Sequence, residues 1–264
     1  ALCIVEDITQ PRQTFFEGHS AHVVCLSYCA DCDMAISGQQ DPPGPAGPYA
    51  CIWSPSHPSR ALADLRYYIQ KSALDGGRLS HARQDKEQFV YVPPRGTTQD
   101  ETEEEYPLRT ITAVALSRHG RFACTLSGDE HFTLSIYALP WHLQKLQAAP
   151  AKTCVLWTPT YTTSSGRVTM EAAIANPDDD LGRFRFVSFG KNVFKCWDYR
   201  GEDNSLTSEA GKFGRYPLAH VTSYVHAAGT ALSLVTGKNG QLYVVQGSVC
   251  VASCQISPAL GSVA

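Results

Sequence analysis

The feature that most constrains this chain is a unit of strands that recurs four times along it. In its full form, an apolar strand and a turn lead to a strand ending in a small residue and glycine. A further strand ending in an aromatic follows. The first copy reads Val23-Val24-Cys25-Leu26-Ser27, then Ala35-Ile36-Ser37-Gly38, then Ala50-Cys51-Ile52-Trp53. The second reads Ile111-Thr112-Ala113-Val114-Ala115-Leu116-Ser117, then Cys124-Thr125-Leu126-Ser127-Gly128, then Leu134-Ser135-Ile136-Tyr137. In the third, Phe186-Val187-Ser188-Phe189-Gly190 leads to Phe194-Lys195-Cys196-Trp197-Asp198, and in the fourth Leu234-Val235-Thr236-Gly237 leads to Gly240-Gln241-Leu242-Tyr243-Val244-Val245. A repeat this small cannot bury its apolar face alone. It must stack on its neighbours, which restricts the chain to repeated, mutually packed sheets.

The surrounding sequence fits that restriction. Short apolar or β-branched runs bounded by Gly, Pro, Asn and Asp recur from Val23 to Ser253, as strands do. Helix-like spacing is confined to 59–72 and 141–148. Hydrophobic residues at 43% against 18% charged supply enough apolar surface for a stacked core. The expected class is all-β. The repeat glycines Gly38, Gly128, Gly190 and Gly237 are 90, 62 and 47 residues apart, so long insertions must separate the early units. One is 68–107, polar and broken by Gly76-Gly77, Pro93-Pro94 and the acidic run Asp100-Glu101-Thr102-Glu103-Glu104-Glu105. It is expected to lie outside the sheet core. A second is 41–48, whose prolines cannot donate to a ladder and so belong to a projecting loop.

Two dipeptides punctuate the repeats: Gly18-His19 before the first and Trp197-Asp198 at the end of the third. They resemble the Gly-His and Trp-Asp marks of WD repeats, whose blades are about 40–45 residues long. The opening is more specific. Phe15-Phe16-Glu17-Gly18-His19-Ser20-Ala21-His22-Val23, then Ile36-Ser37-Gly38-Gln39, then Ala50-Cys51-Ile52-Trp53-Ser54 beyond a Pro-rich loop, resembles the first full blade of the echinoderm microtubule-associated protein-like (EMAP-like) family. Gly190-Lys191-Asn192-Val193-Phe194-Lys195-Cys196-Trp197 and Val235-Thr236-Gly237-Lys238-Asn239-Gly240 resemble its later blades. The resemblance lapses over 68–107. It implies a WD-repeat β-propeller with about four blades visible, part of a larger tandem propeller. On that reading 1–14 is the outer strand of a preceding blade, 15–67 the first blade, 68–107 an insertion, and 108–158, 159–206 and 207–264 three more. The start at Ala1, without a Met, fits a piece of a longer chain.

The resemblance also implies a role for the punctuation. His19 is expected in a buried hydrogen-bond set with Ser37 and Trp53, with Asp41 a possible fourth member. Gly38, Gly128, Gly190, Gly237, Trp197 and Asp198 are the corresponding structural marks. These are the site residues we expect, all structural, with no catalytic, cofactor or metal residues among them.

Other candidates for chemistry are weaker. Cys29-Ala30-Asp31-Cys32, with Cys25 nearby, is the one C-x-x-C, and such a pair clamps zinc or cycles as a dithiol only with further ligands or a strand–helix setting that are missing here. The ten cysteines sit mostly in apolar runs and are expected to be free thiols in a reducing compartment. Asp178-Asp179-Asp180 lacks the interleaved ligands of a calcium loop. No phosphate-binding, dinucleotide or hydrolase signature is present. A net charge of −3 gives no bulk grip on nucleic acid or an anionic membrane, and no eighteen-residue apolar run exists to span one. The expected function is a non-enzymatic, cytoplasmic, microtubule-associated interaction protein that binds tubulin or other cytoskeletal proteins and uses no cofactor. A generic WD-repeat scaffold of a ciliary, flagellar or other assembly is the alternative. Uncovered terminal blades would also let the isolated chain form a homodimer.

Overall fold

The computed structural model describes residues 3–7, 12–40, 49–66, 68–70, 89–91, 110–128, 132–139, 155–157, 161–164, 169–172, 182–227 and 230–256. They fall in two compact units, Ala1–Arg167 and Val168–Ala264. Among the described residues there is no α-helix, only strands and one 3-10 turn.

In the first unit β1 (Cys3–Asp7) pairs antiparallel with β2 (Arg12–Phe16). β3 (Val23–Cys29), β4 (Met34–Gln39), β5 (Tyr49–Ser54) and β6 (His57–Arg66) then form an antiparallel meander, the first sheet. The β3–β4 turn closes on Asp33, whose φ of 47° is one that aspartate tolerates better than most side chains. β7 (Tyr68–Gln70) and β8 (Phe89–Tyr91) pair only with each other, as a separate two-stranded ladder. The rest of the 68–107 insertion, and the loop 41–48, lie outside the described residues. β9 (Ile111–Leu116), β10 (Phe122–Ser127) and β11 (Thr133–Ala138) form the second sheet. β12 (Val155–Trp157) adds in parallel to β6, and β13 (Tyr161–Ser164) completes the second sheet on β11.

Where 59–72 is described, strand replaces the expected helix: 59–66 belong to β6 and 68–70 to β7. Bulges opposite Ile52, Trp53 and Ser54 explain the misleading pattern: Ala63 faces Ile52 and Ala61 faces Trp53, leaving Leu62 as an extra residue. Leu62, Ala63 and Leu65 are consequently all buried, a spacing that mimics a helix stripe. The other helix-like segment, 141–148, lies outside the described residues.

Each sheet has two distinct faces. On the first, Ala35, Ser37, Cys51 and Trp53 share what we term the front, and Met34, Ile36, Ala50 and Ile52 the back. The back packs against the front of the second sheet, where Val114, Leu116, Ala123 and Tyr137 join it in one buried cluster. The front is covered in part by the β1–β2 pair, which buries Cys3 and Phe16 against Ala35, Cys51 and Trp53.

The second unit repeats the plan. β14 (Thr169–Ala172), β15 (Arg183–Gly190), β16 (Val193–Arg200) and β17 (Ser205–Ala210) make the third sheet. β18 (Val221–His226), β19 (Leu232–Gly237), β20 (Gln241–Gln246) and β21 (Val249–Gln255) make the fourth. The third sheet's back, with Val187, Phe189 and Phe194, packs on the fourth sheet's front, with Val235, Tyr243 and Val245. The sheets therefore divide between 164 and 169 and after 210, rather than at 158/159 and 206/207, because β13 and β17 close the preceding sheets.

Candidate functional site

The residues that punctuate the sequence converge on the front of the first sheet. His19 precedes β3, Ser37 lies on β4 and Trp53 on β5, in a pocket where His19 is 6% exposed and Ser37 fully buried. The Trp53 indole N–H donates to Ser37 Oγ at 2.9 Å. Ser37 Oγ is in turn 2.6 Å from His19 Nε2, and His19 Nδ1 is 2.9 Å from Gln39 Oε1. The Ser20 backbone N–H also donates to Gln39 Oε1 at 3.1 Å, and Gln39 Nε2 donates to Ser20 Oγ at 3.2 Å.

Directions follow from what each group can do. The indole only donates, and the Ser20 amide requires an oxygen at Gln39 Oε1. Nδ1 must therefore carry the proton and give it to Gln39, leaving Nε2 to accept from the Ser37 hydroxyl. The imidazole is neutral, and burial lowers its pKa below the usual 6.5, against the opposing hydrogen bond to Gln39 and the charge of Asp64. Phe16 stacks on Trp53 at 4.6 Å and meets His19 edge-on at 5.6 Å, sealing the network.

Gln39 joins the network, and Asp41 lies outside the described residues. Gln39 ends β4, and its amide is a member that the repeat punctuation does not name. The signal was available: Gln39 follows Ser37 by two residues and so shares its side of β4.

The third sheet repeats the Trp–Ser pair. Trp197 Nε1–H donates to Ser188 Oγ at 2.8 Å, and Phe186 stacks on Trp197 at 5.8 Å. Asp198 stands apart from that pair and is ion-paired with Arg183 and, at 3.6 Å, with Arg185. In the second sheet Thr125 Oγ1 and Tyr137 Oη are 3.5 Å apart. In the fourth, the Tyr243 hydroxyl donates to the Pro217 carbonyl at 2.8 Å.

Ladder register identifies equivalent positions. The aromatics Trp53, Tyr137, Trp197 and Tyr243 face Ala35, Ala123, Phe186 and Val235. Two residues beyond these stand Ser37, Thr125, Ser188 and Gly237. The repeat glycines are therefore not equivalent, since Gly38, Gly128 and Gly190 follow that polar position by one, three and two residues. None of the four has positive φ. Gly38 is instead required by close approach: a Cβ there would sit 2.5 Å from Ile111 Cγ2 and 2.7 Å from Cys25 Sγ.

The C-x-x-C lies at the β3–β4 turn. Cys29 Sγ donates to the Arg118 carbonyl at 2.9 Å, and Cys32 Sγ reaches the Cys29 carbonyl at 3.8 Å. A hydrogen bond from Cys32 holds the Cys29 thiol down to about 7, whereas Cys32 is pushed up. Cys25 bonds the Ile111 carbonyl and burial pushes it up to about 12. All nine described cysteines are free. Among the described residues, no group of three or more His, Cys, Asp or Glu side chains could hold a metal ion, and no helix is long and apolar enough to cross a membrane.

No family model and no curated protein matches this sequence. In structure the chain is similar to the β-propeller domain of Cps50 (Swd1) from Myceliophteria thermophila, at 13% identity and TM-score 0.49, over 92% of this chain and 57% of that one. It is also similar to Sqt1 from Chaetomium thermophilum, a structure bound to the N-terminus of ribosomal protein L10, at 10% identity and TM-score 0.49, over 88% of this chain and 47% of that one. The chain spans about half the length of these solved structures. Four sheets, antiparallel except where β12 joins β6, stack back to front within each unit and, with the His19–Ser37–Trp53 network, define the class: an all-β protein of β-propeller blades.

Proposed function

We propose that this chain is a non-enzymatic WD-repeat scaffold that binds protein partners through its blade surfaces, and that it acts in the cytoplasm on microtubules. One observation carries the first part. The histidine that would most readily serve chemistry has both ring nitrogens committed to Ser37 and Gln39 in a buried network, so its polarity holds the blade together. Binding is what the surface of such a scaffold offers. The microtubule reading rests on the EMAP-like entry at 15–23, the Ser37-Gly38-Gln39 run and the strand carrying Ile52-Trp53. With a net charge of −3, shape and local contacts would have to outweigh counterion attraction to the acidic tails of tubulin. Co-sedimentation of the purified chain with polymerised tubulin tests this reading. Saturable pelleting at micromolar tubulin is expected; failure to pellet at any salt would leave the scaffold of another assembly in its place.

A further inference from the structure

Cys29-Ala30-Asp31-Cys32 has no long helix behind it in the sequence, but the fold supplies a turn in that place. β3 ends at Cys29 and runs directly into one turn of 3-10 helix, Ala30–Cys32, with Cys29 as its N-cap. In such a turn residue i+3 bonds back to residue i, so Cys32 is folded back over Cys29. A turn of this kind holds its end Cα atoms within about 7 Å, which a disulfide can span. Asp33, at φ 47°, donates its N–H to the Ala30 carbonyl and returns the chain to β4. The backbone therefore fixes the pair from both sides, and the two thiols lie within hydrogen-bond reach of each other.

The turn between β9 and β10 frames this pair. Cys29 Sγ donates to the Arg118 carbonyl at 2.9 Å, and the Arg118 side chain is ion-paired with Asp31, which stands between the two cysteines. Gly120, at φ 61°, comes so close that a Cβ there would sit 3.1 Å from Cys32 Sγ. Asp31 and Arg118 keep the rim of the turn in water, with side chains 51% and 37% exposed. The thiols are buried beneath that rim, so a small oxidant reaches them more readily than a protein one. Burial raises the Cys25, Cys124 and Cys196 thiols, as in an inert core, whereas the hydrogen bond from Cys32 lowers Cys29 to about 7.

We propose that Cys29 and Cys32 form a redox site, which a small disulfide of the glutathione class converts to a reversible Cys29–Cys32 bridge. The Cys29 thiolate attacks one sulfur of the oxidant. A mixed disulfide forms, the oxidant's S–S bond breaks, and the first glutathione leaves as a thiolate that takes a proton from water. What raises Cys32 most is its hydrogen bond with Cys29, and that ends once Cys29 is capped. Cys32 then releases its proton to water and attacks Cys29 Sγ, expelling the second glutathione, which is protonated in turn. Two electrons pass from the cysteine pair to the oxidant, and the two protons the pair gives up balance those the glutathiones take. The bridge leaves no Sγ–H for the Arg118 carbonyl, so oxidation removes a hydrogen bond between the first sheet and the β9–β10 turn of the second.

Peptide mapping of the reduced, folded 264-residue chain after excess glutathione disulfide and an acid quench tests this. The wild type should gain the Cys29–Cys32 bridge, hold no glutathione on either residue, and recover both thiols with dithiothreitol. Cys254, exposed on β21, is the comparison and should keep the glutathione it takes up. Cys32→Ser should trap glutathione on Cys29, and Cys29→Ser should slow uptake at Cys32 by at least about tenfold. Bridge formation should be half-maximal near pH 7 in the folded chain, and only towards the usual 9.0 in the chain unfolded by denaturant. The wild-type map and its pH dependence decide the matter even if a variant fails to fold. Both thiols remaining free, glutathione retained on Cys29 of the wild type, or one pH dependence for folded and unfolded chain overturns the proposal.

Discussion

At His19, burial outweighs the Gln39 hydrogen bond and the charge of Asp64, and the ring's proton affinity falls below its value in water. The folded-state pKa is thus lower than the unfolded one, near 6.5, and the unfolded chain binds the proton first as pH drops. His19 therefore contributes its full stability above about pH 6.5, and that contribution shrinks as pH falls from there towards the folded-state value. The check is the wild-type unfolding free energy minus that of His19→Gln across pH 5–8, which should decline on the acid side; a flat or rising difference would contradict the neutral ring. Gln39→Glu should reverse the trend, because a carboxylate beside Nδ1–H favours the imidazolium. His19→Ala removes both of its hydrogen bonds and leaves Ser37 and Gln39 short of partners, at a cost of about 2–3 kcal/mol, read by denaturant titration. Of this network His19, Ser37 and Trp53 were legible from repeat punctuation alone. The position of Gln39 on the same side of β4 as Ser37 was legible too, but not its role, which depends on an amide oxygen also reached by the Ser20 N–H, a contact between residues 19 apart in the chain.

Elements were legible where alternation was clean and obscured where a bulge disturbed it. In the second repeat the run Cys124–Ser127 falls within β10, whereas β6 read as helix because the extra residue Leu62 broke the two-residue period. The glycine marks located the strands but misaligned the units, since spacing between a glycine and the polar position two beyond the aromatic's partner varies from sheet to sheet. Gly38 matters through space rather than backbone freedom. Gly38→Ala should push against Ile111 and Cys25 and cost about 1–3 kcal/mol, measured by chemical unfolding. Gly190→Ala, placed at a strand end facing Val193, should cost less. Of the insertion the described residues are β7 and β8, which pair with each other and join none of the four large sheets. Deleting 77–105 should shift Tm by less than about 10 °C, and a larger drop would make the insertion part of the core.

For the whole molecule, the claim that matters most is that sheets are not independent: each unit is held by one sheet's back lying on the next sheet's front. Stacking of this kind was foreseeable from the repeat, because a lone unit leaves its apolar face in water. Which residues meet was not, since it depends on register set by bulges such as those in β3 and β9. Native-state hydrogen exchange on wild type and Met34→Ala tests the claim most directly. Met34 is fully buried on the first sheet's back, in one cluster with Val114 and Leu116 of the second. Truncating a buried Met costs about 2–5 kcal/mol. If the sheets unfold as one, the amides of β9 and β10 should lose protection together with those of β4 and β5, by at least about 30-fold. Unchanged protection in β9 and β10, with loss confined to the first sheet, would contradict the stacking account.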